Sequence, residues 1–169
     1  AFDYEEYYRE NPHGLGDPTK EFVEFFDSYD EKRAEVLDVG CGQGRDALFI
    51  ARLGHSVVAL DLSPSGIRDL QQDADAEDLV ITTEVVDIRF FRTRRRFDVI
   101  LIDRTLHMLA EDDRVAVFDY LLRLSKRGAH VLIADEGSNM PAFKTAIEAS
   151  SWKWTTTLER RGFLFAQRE

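Results

Sequence analysis

Hydrophobic residues recur along the chain in two periods, and the alternation between those periods predicts its elements. Short apolar, partly β-branched runs at 35–39, 56–60, 81–86, 97–102 and 130–134 read as strands. Stretches of helical period lie between them: Ala47-Leu48-Phe49-Ile50-Ala51 running to about Leu53, and Ser65 to about Ala74 opened by Ser63-Pro64. A third covers 111–125, with Val115, Phe118, Leu121 and Leu122 predicted to face inward, and Met140 to Ala149 reads as a fourth. Trp152 to Glu159 and Gly162 to Gln167 alternate as two strands about Arg160-Arg161-Gly162, a hairpin signal. Near-continuous apolar strands separated by helices imply an α/β fold whose mostly parallel sheet is covered on both faces. The hairpin adds an antiparallel strand at one edge.

Two further helices precede the first strand. Tyr4, Tyr7 and Tyr8 fall at helical spacing over residues 3–10, and the run from Asn11 to Pro18, with two prolines and two glycines, breaks that helix. Thr19 then reads as an N-cap, followed by a buried stripe of Phe22, Val23, Phe25 and Phe26. Residues 1–30 are therefore predicted to be an N-terminal helical segment able to serve as a lid, and residues 31–169 the main domain. Tyr4, Tyr8 and His13 are the lid residues placed to meet a substrate.

Composition narrows the partners. The 169 residues carry a formal net charge of −10, and a duplex or membrane-surface binder would present a positive face, so nucleic acid is disfavoured. No apolar run approaches the roughly 18 residues of a membrane span, and the acidic, aromatic start is not a secretory signal. The one cysteine, Cys41, has no partner for an internal disulfide, which suits the cytoplasm. Asp73 to Asp78 reads as a solvated loop or helix end, and Arg92-Thr93-Arg94-Arg95-Arg96 as a basic surface loop.

The chemistry concentrates at the ends of the strands. Val36-Leu37-Asp38-Val39 leads into Gly40-Cys41-Gly42-Gln43-Gly44, and a helical segment follows: strand, tight turn, helix, with three side chains absent where a ligand approaches. The second strand ends at Asp61, 17 residues after Gly44, and the third and fourth end at Asp87 and Asp103. In an open α/β sheet, ligands bind beyond these carboxyl ends. A carboxylate after the second strand suits ribose hydroxyls, because an ionised acid only accepts, and one after the third suits an adenine amino group. The turn lacks the third glycine of a dinucleotide fingerprint, Arg45 standing in its place, and no Gly-Lys-Ser/Thr follows. Asp38 and Asp46 flank it with negative charge, a poor cradle for pyrophosphate and a suitable one for a cationic nucleoside. No metal site is expected.

Val36-Leu37-Asp38-Val39-Gly40-Cys41-Gly42-Gln43-Gly44 resembles the first motif of class I S-adenosylmethionine-dependent methyltransferases. Asp61 resembles that family's acid after the second strand, Val86-Asp87-Ile88 its adenine-contacting segment, and Phe97-Asp98-Val99-Ile100 its fourth strand. The turn is also similar to that of tellurite-resistance-type and related small-molecule methyltransferases. The resemblance implies a Rossmann-like doubly wound sheet of seven strands in the order 3-2-1-4-5-7-6, and S-adenosylmethionine as cofactor. It implies that Asp38 meets the methionine amino group, directly or through water, and that Gly40, Cys41, Gly42, Gln43, Gly44 and Arg45 form the cradle. Asp61 with Leu62 would take the ribose, Asp87 and Ile88 the adenine, and Asp103 would face the methionine end and the acceptor. The implied activity is methyl transfer to a small-molecule acceptor by in-line displacement, with His107, Asp103 or Glu136 as general base if one is needed and Arg104 open to an anionic acceptor. A non-catalytic cofactor-binding module, a methyltransferase acting on protein or RNA, and a nicotinamide oxidoreductase are the competing readings.

Overall fold

The computed structural model describes residues 2–11 and 16–169. Along the chain run α1 (Tyr4–Glu10), α2 (Lys20–Ser28), β1 (Glu35–Val39), α3 (Arg45–Arg52), β2 (Ser56–Asp61), α4 (Pro64–Ala76) and β3 (Ile81–Val85). Then come β4 (Phe97–Asp103), α5 (Glu111–Leu122), β5 (Ser125–Ala134), α6 (Met140–Ala149), β6 (Trp154–Arg160) and β7 (Phe163–Arg168). The seven strands form one sheet in the order β3-β2-β1-β4-β5-β7-β6, the Rossmann-like arrangement expected from the sequence. Pairings β1–β2, β2–β3 and β4–β5 are parallel, and β7 pairs antiparallel with both β5 and β6. The chain divides into two compact units, Ala1–Ile88 and Arg89–Glu169.

In the first unit, β1 and β2 are buried on both faces, which is why their sequences run apolar without alternation. Val36, Leu37 and Val39 are shut off from solvent, as are Ala47 and Ile50 of α3 and Leu70 and Ala74 of α4. Phe22 and Phe26 anchor α2, and the Phe26 ring lies 5.6 Å from that of His55. His55 is buried as a structural residue: its Nδ1 accepts the Ala34 N–H at 2.9 Å. Ser63 caps α4 by accepting the Gly66 N–H at 3.0 Å, and Pro64 occupies the first turn, where its missing N–H has no intrahelical partner to lose. α4 runs to Ala76, so the acidic stretch straddles its end, with Asp75, Glu77 and Asp78 exposed and Glu77 held by Arg52 at 2.6 Å. β3, the edge strand, exposes Thr82, Glu84 and Val85.

In the second unit, β4 is buried except at Asp98, and Phe118 of α5 meets Phe143 of α6 with ring centroids 4.8 Å apart. The sequence reading differs most at α5 and β5. α5 stops at Leu122 and buries Val117 in place of Val115. β5 starts at Ser125, five residues earlier than the apolar run suggested, because a register shift opposite Phe97 and Val99 absorbs the polar Lys126-Arg127 and Gly128. Gly128 sits there at φ +82°, the left-handed conformation that bulges exploit.

Gly44 carries the tightest local constraint. It opens α3 at φ +90°, and a Cβ there would overlap the Cδ1 of Leu70, which is itself fully buried. Gly44→Ala should cost roughly 2–4 kcal/mol, the left-handed penalty plus overpacking. Urea denaturation checks this, and the same substitution made in a Leu70→Ala background should cost measurably less.

Candidate functional site

The turn between β1 and α3 is folded back on the end of β2. The N–H groups of Gly40 and Cys41 both donate to the Leu60 carbonyl, at 2.8 and 2.9 Å, and Gly44 N–H donates to the Cys41 carbonyl at 2.9 Å. This path needs φ of +77° at Gly40, +55° at Gly42 and +90° at Gly44, conformations that glycine adopts without a Cβ penalty. It also brings the Gly42 amide to the Asp61 carboxylate, which the amides of Leu62 and Ser63 address as well. Burial nevertheless outweighs these three donors, and with Glu5 nearby it pushes the Asp61 carboxyl up to about 6. Beyond it, Val86 N–H donates to the Asp61 carbonyl at 2.9 Å, so the half-buried Asp87 and Ile88 follow directly from the end of β3. Leu62 is exposed.

α1 lies over this turn. Asp3 caps the helix by accepting the Glu6 N–H at 3.1 Å, and Tyr8 is its buried residue. A Cβ on Gly42 would collide with the Tyr8 hydroxyl, and one on Gly66 would come within 3.0 Å of the Tyr8 ring. The room left by these glycines is therefore taken by a tyrosine. Burial and the neighbouring Asp61 raise the Tyr8 phenol well above its ordinary value, so it stays neutral. Two polar anchors hold the helix. Glu5 accepts the Ser65 N–H at 2.8 Å and the Ser63 hydroxyl at 3.1 Å. The Gln43 side-chain amide donates to the carbonyls of Tyr8 and Asn11, at 3.2 and 3.0 Å, and to Asp69 at 2.9 Å. Tyr4 packs at ring distances of 5.6 Å from Tyr8 and 4.7 Å from Phe2, and His13 lies outside the described residues.

The remaining cradle residues separate by exposure. Asp38 is 1% exposed, with both carboxylate oxygens buried. Cys41 is a buried thiol whose Sγ–H points at the Gly42 carbonyl at 3.7 Å. Burial, with Asp38 and Asp61 close by, pushes it well above the usual thiol range, so it offers no thiolate nucleophile. Arg45, half-buried, stands 3.8 Å from Asp46.

In the second unit, the strand-end acids are already engaged. Asp103 is buried and bound by Arg104 at 2.5 Å. Arg104 has φ +52°, donates its N–H to the Ala134 carbonyl at 2.8 Å and holds its guanidinium 5.7 Å from the Phe163 ring centre. Asp135 ties neighbouring segments together by accepting the N–H groups of His107 (3.1 Å) and Glu136 (2.8 Å) and the Asn139 amide (2.8 Å). Arg114 completes the network through Asn139 and the carbonyls of Leu106 and Leu109. His107 Nδ1 is buried and has no hydrogen-bond partner among the described residues. Glu136 is exposed.

Comparison with known proteins bears on this arrangement. A family profile described as a methyltransferase domain matches residues 36–128, more than half of the chain. The chain belongs to that methyltransferase family. It is 29% identical over 134 residues to the 2-heptyl-1-hydroxyquinolin-4(1H)-one methyltransferase of Mycobacteroides abscessus, covering 77% of this chain and 59% of the relative. It is 33% identical over 81 residues to the probable S-adenosyl-L-methionine-dependent methyltransferase TehB of Haemophilus influenzae, covering 48% of this chain and 28% of that one. The chain thus spans less than two thirds of the length of each of these relatives. Its fold matches the crystal structure of a TehB-like SAM-dependent methyltransferase from Corynebacterium glutamicum with a TM-score of 0.76, at 22% identity over 98% of this chain and 96% of that one. No helix among the described residues is long and apolar enough to cross a membrane.

Asp61 has a consequence for stability within this methyltransferase fold. Its carboxyl is raised above the ordinary value near 4, so between about pH 4 and pH 6 the folded chain holds a proton that the unfolded chain releases. Stability attributable to Asp61 therefore falls as pH rises through that window, by on the order of 3 kcal/mol in total. Denaturant midpoints of the wild type should show this fall relative to Asp61→Asn, and parallel pH profiles would contradict it.

Proposed function

We propose that the chain transfers the methyl group of S-adenosylmethionine to a small organic acceptor. The observation that carries the reading is the joining of the glycine turn to a buried carboxylate through the Gly42 amide. The donor set fits the cofactor: Asp61 retains acceptor capacity for ribose hydroxyls, and the flanking Asp38 and Asp46 suit a cation rather than a pyrophosphate. Asp87 and Ile88 take the adenine in this reading, and Gly40 to Arg45 line the methionine side. When bound, S-adenosylmethionine supplies a methyl group already activated by its sulfonium, so what the protein must add is alignment and exclusion of water.

Each side chain then has a definable task. Tyr8, neutral and packed on Gly42, closes one side of the cradle, and Gln43 keeps it there. On the acceptor side, His107 is the favoured base, because Asp103 is neutralised by Arg104 and Glu136 stands in solvent, whereas the buried Nδ1 of His107 lacks a partner. The quinolone-methylating relative and the net charge of −10 support a small acceptor over nucleic acid, and the single buried thiol suits the cytoplasm.

Calorimetric titration with S-adenosylmethionine tests the cofactor. Binding is expected to strengthen as pH rises through about 6, where Asp61 ionises, and Asp61→Asn should weaken it by roughly 1.5–3 kcal/mol at pH 7.5, the range for hydrogen bonds to a charged group. Absence of binding to the wild type would refute the proposal. His107→Gln should leave this titration unchanged. If the acceptor must lose a proton, the same variant should lower S-adenosylhomocysteine release with it by roughly 10²–10⁴-fold, and an unaltered rate would remove His107 from the mechanism.

A further inference from the structure

The turn joining β6 to β7 forms one wall of an open cleft of about 580 Å³, lined by Gly137, Ser138, Met140, Arg160, Arg161 and Gly162. We infer that this cleft binds the carboxylate or phosphate of a small organic anion between the guanidinium groups of Arg160 and Arg161. We take this anion to be the methyl acceptor, which rests on the methyltransferase reading; the anion site itself does not.

Position comes first. Ala134 at the end of β5 pairs with Phe163, and Asp135 N–H donates to the Gly162 carbonyl at 3.0 Å, so the turn sits at the carboxyl end of β5. That is the end of an α/β sheet at which ligands bind. Arg104, which follows β4, reaches the same locality through its contact with the Phe163 ring.

Charge makes the cleft selective. Among the described residues neither the Arg160 nor the Arg161 side chain has a hydrogen bond or an ion pair, although the chain carries 32 acidic residues against 22 basic ones. The acids nearby are committed elsewhere: Glu159 to Lys144 at 2.9 Å, Asp103 to Arg104, and Asp135 to its three donors. Glu136 adjoins the cleft without lining it and pairs with neither arginine. Arg160 and Arg161 thus line the cleft with neither guanidinium engaged by an acid, and the Arg161 side chain lies beside Gly137; a planar or tetrahedral oxyanion matches the guanidinium fork. Ser138 adds a hydroxyl donor. Met140 supplies an adaptable apolar contact for the body of the ligand.

Backbone amide NMR of the full chain tests the assignment, with benzoate, inorganic phosphate and benzyl alcohol as probes. Benzoate or phosphate should shift the Gly137, Ser138 and Gly162 signals saturably, and benzyl alcohol should not. A stronger response to benzoate identifies a carboxylate ligand; a stronger response to phosphate identifies a phosphate ester. The double variant Arg160→Ala, Arg161→Ala should weaken anion binding by roughly tenfold or more, Arg160→Lys with Arg161→Lys should fall between, and Arg94→Ala with Arg95→Ala should bind like the wild type. The inference is overturned if neither anion shifts these signals, if the double alanine variant keeps the wild-type midpoint, or if binding is lost with Arg94 and Arg95 instead. Titration of S-adenosylmethionine into the same samples separates the two readings: retained cofactor binding without an anion response refutes this inference alone, and the reverse refutes the cofactor reading alone.

Discussion

The Leu60 carbonyl is the point on which the candidate cofactor site depends. It accepts two consecutive amides, from Gly40 and Cys41, and so folds the chain leaving β1 back over the end of β2. Only residues that tolerate positive φ can follow such a path, and that accounts for glycine at alternate positions without invoking a ligand. The same fold-back delivers the Gly42 amide to Asp61. A carboxylate in that position is buried deeply enough to lose part of its acidity, yet three backbone donors keep it in place. One backbone carbonyl thereby sets the geometry of the turn and the electrostatics of the acid beside it.

Two of the three turn glycines are also required by the protein's own side chains, Gly42 by Tyr8 and Gly44 by Leu70. α1 is consequently part of the cradle rather than an appendage to it. Its anchors are polar and specific: Glu5 occupies the start of α4, where backbone donors lack intrahelical partners, and the Gln43 amide reaches two carbonyls at the end of α1. Glycine in this turn is therefore explained by packing as well as by the proposed ligand approach, and the spacing of the motif cannot separate the two.

The strands, the hairpin and the acids at the ends of β2 and just beyond β3 were legible because period and turn chemistry are local signals, whereas the strand order came only with the family resemblance. The start of β5 was not, since a register shift at Lys126-Arg127-Gly128 hides a strand beneath a polar sequence. Nor was the role of Gln43: a glutamine between glycines reads as cradle, and only the folded chain shows its amide turned to α1, 32 and 35 residues away. Arg160 and Arg161 were read as a hairpin turn, correctly, but their uncompensated charge depends on where Glu159, Asp103 and Asp135 find partners. Such pairings are long-range and leave no periodic trace in the sequence.

The strand-end aspartates show why position alone does not assign a role. Asp61, Asp103 and Asp135 each stand at or just beyond the end of a strand, and their position in the sequence does not show what donors each one meets. Asp61 receives only backbone amides, which hold it without neutralising it, and it retains capacity to accept from a ligand. Asp103 is met by the Arg104 guanidinium, which engages one of its oxygens. Asp135 is occupied by three donors drawn from separate segments, and Arg114 extends its reach through Asn139 to the carbonyls of Leu106 and Leu109. It is thus a structural acid, and the backbone around His107 is fixed by it. The three carboxylates thus differ in what meets them: backbone amides of the adjoining turn and strand end for Asp61, a guanidinium for Asp103, and for Asp135 two backbone amides with the Asn139 side chain, which tie separate segments together.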